Sequence, residues 1–269
     1  MDYHVHTKFS DDSNMDIREL IEEAKKKNIK EICITDHLEP DDLDGGSIES
    51  LKEYTKKYFE EIKEVSMKKD CPKIKIGVEL GLSRSTLNAS KEYIKAHSYD
   101  FVLASLHEVN GVEVNDWGFH KSISAEKAYK LYLEEMYYCL ENYDNFDCLG
   151  HLDLMRRYIK RFKGKNDIIF TYELKPMIDD ILRLIIDKGK GIELNTSGYR
   201  YGLLTPLPSF EVLERYKELG GEVITIGSDA HSEEEIGDKI QHAHELLLET
   251  GFEYFYTYED RKAIANKLK

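Results

Sequence analysis

The sequence is poor in the residues that staple or interrupt a chain. Its 269 residues include only four cysteines, five prolines and seventeen glycines. Cys33, Cys71, Cys139 and Cys148 are scattered, and none forms a Cys-x-x-Cys pair. A zinc ribbon or thioredoxin-like site therefore has no support, and core filling is the expected role of the thiols. No Pro-rich or Gly/Ser-rich run marks a linker, so a single domain over residues 1–269 is expected. No stretch approaches the roughly 20 apolar residues that cross a bilayer. The opening Met1-Asp2-Tyr3-His4 carries neither the basic nor the apolar part of a secretory leader, which points to a cytoplasmic protein with no membrane partner. Positive charge is outnumbered, 38 basic against 52 acidic residues, for a net charge of −14. That balance repels a polyanion, so small substrates are expected rather than nucleic acid. Neither Gly-x-Gly-x-x-Gly nor Gly-x-Ser-x-Gly occurs, which removes the dinucleotide-binding turn and the serine-hydrolase elbow.

What is present is a repeating alternation of short β-branched runs and longer segments with apolar residues at helical spacing. Seven such units can be read. The strand candidates are 3–6, 31–36, 73–79, 101–105, 146–150, 191–195 and 222–227. Helices are expected at Asp16 to Lys27, from near Ser47, from about Ser90, at Ala125 to Glu141, at Tyr172 to Lys188, at Phe210 to Leu219 and at Glu233 to Glu249. An aromatic strand-like tail, Phe252 to Tyr256, and a last helix from Asp260 complete the chain. Sequential βα units without a Gly-rich turn fit a closed barrel of the (β/α)8 type better than an open doubly wound sheet.

Barrel enzymes gather their reactive groups at the C-terminal ends of the strands. Here those ends hold His4 and His6, Asp36 and His37, Glu79, His107, His151 with Asp153, and Asp229 with His231. Histidines at i and i+2 on a strand share a face, so His4 and His6 form a chelating pair while Val5 points outward. Asp229 and His231 have the same parity if their strand continues that far. A lone histidine at a strand end is more often solvated or satisfied by a neighbour than a ligand. Six of ten at strand ends point to ligation, whereas His97, His120, His242 and His244 fall in helices or loops. Glu79 and Asp229 end apolar strands, and a buried carboxylate is costly unless paired or bound to metal. Imidazole mixed with carboxylate suits zinc, iron or manganese better than calcium or magnesium.

The ordered set His4-Val5-His6-Thr7, Thr35-Asp36-His37, Gly77-Val78-Glu79, Ser105-Leu106-His107, Gly150-His151 and Ser228-Asp229-Ala230-His231 resembles the polymerase-and-histidinol-phosphatase (PHP) superfamily, over residues 1 to about 232. The resemblance implies a distorted (β/α)7 TIM-like barrel and a trinuclear metal centre. His4, His6, Glu79 and Asp229 would hold the first ion. Glu79, His107 and His151 would hold the second. Asp12, His37 and His231 would hold the third, with Asp11 as rival to Asp12.

Within the superfamily, residues 150–154 and 193–200 resemble the monofunctional histidinol-phosphate phosphatases. That likeness implies a hydrolase of histidine biosynthesis, converting L-histidinol phosphate to L-histidinol and phosphate by attack of a hydroxide shared between two cations. Glu79, Asp229 and His231 would be catalytic. Arg200, with Arg156 or Arg157, would bind the substrate phosphate through two-pronged hydrogen bonds. A solvated helix face is the competing reading for Arg156, Arg157 and Arg161. Asp153 and His120 are candidates for the proton donor, beside a metal-bound water. Alternatives are action on a nucleotide or another small phosphate ester, or a non-catalytic metal-binding domain.

Overall fold

The computed structural model describes residues 1–39, 48–68, 71–164 and 173–269. Among the described residues, seven parallel staves run in the order β1 (Asp2–Val5), β2 (Glu31–Ile34), β4 (Lys73–Gly81), β5 (Phe101–Ser105), β8 (Cys148–Leu149), β9 (Gly191–Asn195) and β10 (Ile224–Gly227), while the short β6 (Glu108–Val109) and β7 (Val112–Glu113) form a separate antiparallel pair. The short β3 (His37–Leu38) prolongs the β2 stave after a break at Thr35-Asp36 and pairs with β4, with His37 opposite Glu79. The first and last staves meet through a parallel bridge between Val5 and Ala230. There the His6 amide donates to the Ala230 carbonyl at 2.8 Å and the Asp229 amide to the His4 carbonyl at 2.8 Å. The architecture is a distorted (β/α)7 barrel.

Each stave is followed by a helix that covers the outside: Ile17–Lys26, Ile48–Ser66, Leu87–Ala96, Ala125–Asn142, Leu174–Asp187, Phe210–Glu218 and Ile240–Glu249. The first shows how local sequence sets the boundaries. Asp16 caps it by accepting from the Arg18 amide, Glu19 completes a reciprocal capping box, and Lys25 and Lys26 sit at the negative end of the dipole. Its buried Ile17, Leu20, Ile21 and Ala24 pack in the same core as outward-facing Ile32, Ile34, Val102, Ala104, Ile192 and Leu194. Three shorter helices, Trp117–His120, Met155–Lys163 and Ser197–Arg200, interrupt the loops that leave the C-terminal ends of β5, β8 and β9.

The barrel interior is the second core. Its N-terminal half holds Tyr3, Cys33, Phe101, Leu103 and Cys148, with Tyr258 packed among them. Tyr258 comes from a C-terminal antiparallel hairpin, β11 (Tyr254–Glu259) and β12 (Lys262–Lys267). β1 fills both halves by means of a bulge: Asp2 pairs with Ile32 and Val5 with Ile34, so β1 carries one residue more than its partner. Tyr3 and His4 therefore both reach the interior, while Val5 joins the outer core.

Several sequence expectations are corrected. The expected helix from Asp260 is the strand β12. Asp260 and Arg261 take left-handed backbone angles, φ 48° and 64°, which turn the chain back onto β11 and override the helical propensity of the Ala/Lys-rich tail. The expected helix from Glu233 to Glu249 is divided into a 3-10 turn at Glu233–Glu235 and a helix at Ile240–Glu249, because Gly237 and Lys239 have positive φ. The helix Met155–Lys163 was not among the segments expected from periodicity. The expected helix starts at Ser47 and Tyr172 lie outside the described residues. Cys33, Cys139 and Cys148 are buried free thiols and Cys71 is half-buried. Among the described residues, no helix is long and apolar enough to cross a membrane.

Candidate metal centre

The inner-face residues at the C-terminal half are not apolar. His4, His6, Glu79, His151, Glu193 and Asp229 are all buried there. Glu79 is the hub. Its Oε2 lies 3.2 Å from His4 Nε2, 3.4 Å from His6 Nε2 and 3.0 Å from His37 Nδ1. Its Oε1 lies 2.8 Å from His151 Nε2 and 3.3 Å from His107 Nε2, and accepts from the Ser105 hydroxyl at 2.7 Å. One carboxylate thus faces two sets of imidazoles with its two oxygens.

Asp229 closes the first set, with Oδ1 3.6 Å from His4 Nε2 and 3.4 Å from His6 Nε2. β10 ends at Gly227, so the expected continuation of strand parity to His231 does not occur. Asp229 instead adopts φ 55°, a left-handed conformation that is uncommon outside glycine. Two groups hold this turn. Buried Asp2 accepts from the Ser228 amide and hydroxyl, and Arg200 donates to the carbonyls of Ser228 and Asp229 at 2.8 and 2.7 Å. His231 then faces Asp12, Nε2 to Oδ2 at 3.0 Å, and His37 Nε2 lies 3.7 Å from the other Asp12 oxygen.

Among the described residues, the donor atoms fall into four overlapping groups, each within 4.8 Å: His6, Asp12, His37 and His231; His4, His6 and Asp229; His4, Glu79 and His151; His37, Glu39 and His107. Asp12 belongs to the first, and Asp11 to none of them.

The partners of the other ring nitrogen turn Nε2 of His4, His6 and His107 inward. His4 Nδ1 lies 2.6 Å from Glu193 and His107 Nδ1 lies 2.7 Å from Glu39. The Ser10 hydroxyl donates to Asp36 at 2.7 Å, so towards His6 Nδ1, 3.0 Å away, it serves as acceptor. Each of those partners can accept a proton from Nδ1, which leaves Nε2 as the nitrogen open to a cation once its own proton is displaced. Asp36 also takes the Thr7 amide and hydroxyl; it fixes the first loop rather than joining the cluster.

Electrostatics show what the site requires. Burial opposes the ionisation of Glu79, yet the surrounding His4, His37 and His107 hold its carboxyl well below the usual range. Burial likewise opposes ionised Asp229, and His4 and His6 hold it well down. Burial, with His37 and His231 beside it, pushes His6 down to about 3, while Glu39 and Glu79 overcome burial to hold His107 up to about 10. Carboxylates stay ionised only by recruiting protons onto neighbouring rings, a role that divalent cations can take over as they displace those protons. Glu79 Oε2 is moreover buried with no hydrogen-bond partner among the described residues. A metal suits that oxygen and this nitrogen-and-oxygen donor set.

The other predicted residues lie as follows. Arg156 is buried and donates to Asp153 at 3.2 Å, to the Pro206 carbonyl at 3.1 Å and to Thr205 at 2.8 Å. Asp153 also accepts from the Ser209 amide, so it braces the loop behind His151. Arg157 is half-buried and stacks on Tyr201, 3.2 Å from the ring centre. Arg200 is occupied as described, with Glu235 at 3.3 Å and Asp238 at 3.9 Å. His120 is buried against Phe119 and Phe162, with its Nε2 on the Val114 carbonyl. Sequence reasoning did not single out Glu39 or Ser10, and it gave Ser105 and Glu193 no part in supporting the cluster although both lie in the motifs that carry the resemblance. Glu193 was detectable, since it alternates with outward Ile192 and Leu194 on β9 as His4 does with Val5 on β1.

The geometry agrees with comparisons to known proteins. The PHP domain model matches residues 2–197. The chain is 32% identical to a histidinol-phosphatase of Lactococcus lactis subsp. lactis, covering 99% of this chain and 97% of that one. It is 31% identical to a probable histidinol-phosphatase of Clostridium acetobutylicum, covering 90% of each. It also resembles the crystal structure of the Lactococcus lactis histidinol phosphate phosphatase complexed with zinc, L-histidinol and phosphate, with a TM-score of 0.85 at 30% identity over 98% of both chains. The chain belongs to the PHP domain family.

Proposed function

We propose that this protein is a metal-dependent phosphomonoesterase that hydrolyses L-histidinol phosphate to L-histidinol and phosphate, a reaction of histidine biosynthesis carried out in the cytoplasm. The observation that carries the proposal is Glu79, whose two oxygens face separate sets of imidazoles as a ligand bridging two cations would. The family membership and the zinc, histidinol and phosphate bound to the Lactococcus lactis protein support it.

On this reading three divalent ions, zinc in the first instance, would be held by His4, His6, Glu79 and Asp229; by Glu79, His107 and His151; and by Asp12, His37 and His231. When bound, such ions supply a water nucleophile at neutral pH and polarise phosphoryl oxygens. The protein's own part is to keep Glu79 and Asp229 ionised, to aim each imidazole through its second nitrogen, and to hold the phosphate against the cluster. Catalytic assignment stays with Glu79, Asp229 and His231. Of the three arginines, Arg157 is the one assigned to the phosphate, because Arg156 is engaged with Asp153 and Arg200 with the Asp229 turn. Arg157 stacks the face of its guanidinium on Tyr201, and its edge would make the two-pronged contact.

Phosphate release from a panel of monoesters tests the assignment on zinc-loaded protein. Turnover of histidinol phosphate is the expected result. Turnover of a nucleotide with none of histidinol phosphate would reject the substrate, and inactivity on all esters would reject the hydrolase.

A further inference from the structure

β9 ends beneath the cluster without contributing a member to any of its four donor groups, yet its inner face carries buried Glu193 and Asn195. The Glu193 carboxylate addresses two residues of the centre at once. Oε1 lies 2.6 Å from His4 Nδ1, and Oε2 accepts from the His151 amide at 2.8 Å and from the Asn195 side chain at 3.1 Å. Asn195 Nδ2 is also 3.4 Å from Asp229 Oδ2. Space is reserved for this contact on the neighbouring stave: a Cβ at Gly227 would clash with His4 Cβ and with Glu193 Oε1. Gly227 is absent from the positive-φ positions, so close approach is what its lack of a side chain permits.

We propose that Glu193 is a positioning residue for the metal centre: it fixes His4 as the tautomer with its proton on Nδ1 and ties that ring to the His151 turn. The Nε2 lone pair then points at Glu79 and Asp229, and the anionic partner makes it a stronger donor to a cation. Since His4 stands in two of the donor groups and His151 in one of these, one carboxylate sets the geometry on both sides of Glu79.

The inference rests on the metal-centre reading above, and Glu193→Gln separates the two. Gln has one oxygen and one amino group. Two donors, the His151 amide and Asn195, face one end, so the amino group is driven towards His4. There it would stabilise the tautomer with its proton on Nε2, the wrong one for binding. The test is competitive zinc titration against a chromophoric chelator, with the visible spectrum of the cobalt-substituted protein and the thermal unfolding midpoint of both proteins. The expected result is zinc binding weakened by about 10- to 100-fold, as for other groups that orient a ligand, with an altered cobalt spectrum. Unchanged zinc affinity and spectrum overturn the positioning role, whatever happens to the unfolding midpoint. Wild-type protein that binds no zinc overturns the metal-centre reading itself. Ring-nitrogen NMR of zinc-loaded wild type keeps the inference testable if the variant does not fold: His4 protonated at Nδ1 supports it, and His4 bound through Nδ1 overturns it.

Discussion

The two halves of the barrel interior are built from the same strands and differ in everything else. In the N-terminal half, Tyr3, Cys33, Phe101, Leu103 and Cys148 meet Tyr258 from the closing hairpin. Towards the C-terminal ends, the staves and the turns that follow them carry His4, Glu79, Ser105, His151 and Asp229. The apolar half gains stability by burial and dispersion. The polar half gathers like-charged carboxylates, one of them on a strained turn at Asp229, where left-handed backbone costs about 1 kcal/mol or more. Stability and chemistry are divided by position along the strand, and the bulge in β1 is where one strand serves both.

The comparison predicts that the halves can be broken separately. Glu79→Ala should have the largest effect, loss of phosphatase activity to background together with loss of bound metal, while circular dichroism shows an intact fold. Loss of the fold would mean that the upper half is also a stability element. Tyr258→Ala should do the reverse. It should cost about 3–5 kcal/mol in denaturant unfolding, as for other large buried aromatics, and leave kcat and metal content unchanged in the folded protein. A smaller effect is expected at the rim. Arg157→Ala should raise KM about 10-fold or more through loss of a charge-assisted contact with metal content preserved, whereas Arg200→Ala should lower metal content by releasing the Asp229 turn. The reverse pattern would return the phosphate contact to Arg200. The smallest contrast lies in the first loop. Asp12→Ala should weaken metal binding, and Asp11→Ala, at an exposed position, should change stability by no more than about 0.5 kcal/mol and leave metal content alone.

The strands buried on both faces were the most legible. Phe101–Ser105 and Gly191–Asn195 have the expected bounds: the first is a continuous apolar run up to Ser105, as burial on both faces favours, and the second alternates Ile192 and Leu194 with Glu193 and Asn195. The tail was misread because Ala and Lys favour a helix locally, and nothing local announces that Asp260 and Arg261 will take left-handed angles. The candidate ligands stood out by residue type at strand ends. Their supporting residues stood out less: Glu39 looks like an ordinary acid in a chain with 52 of them, and although alternation on β9 marks Glu193 as inward-facing, only the folded geometry sets the two against His107 and His4. The arginines were legible as cations near the mouth but not by their partners, since backbone carbonyls such as those of Ser228, Asp229 and Pro206 leave no mark in a sequence.

The most direct test is anomalous diffraction at the zinc edge from crystals of the zinc-loaded protein. The predicted result is a cluster of peaks at the C-terminal mouth, each about 2.0–2.2 Å from its nitrogen and oxygen ligands, with Glu79 shared between two of them. Peaks elsewhere on the surface, or none between Glu79 and the imidazoles, would contradict the account.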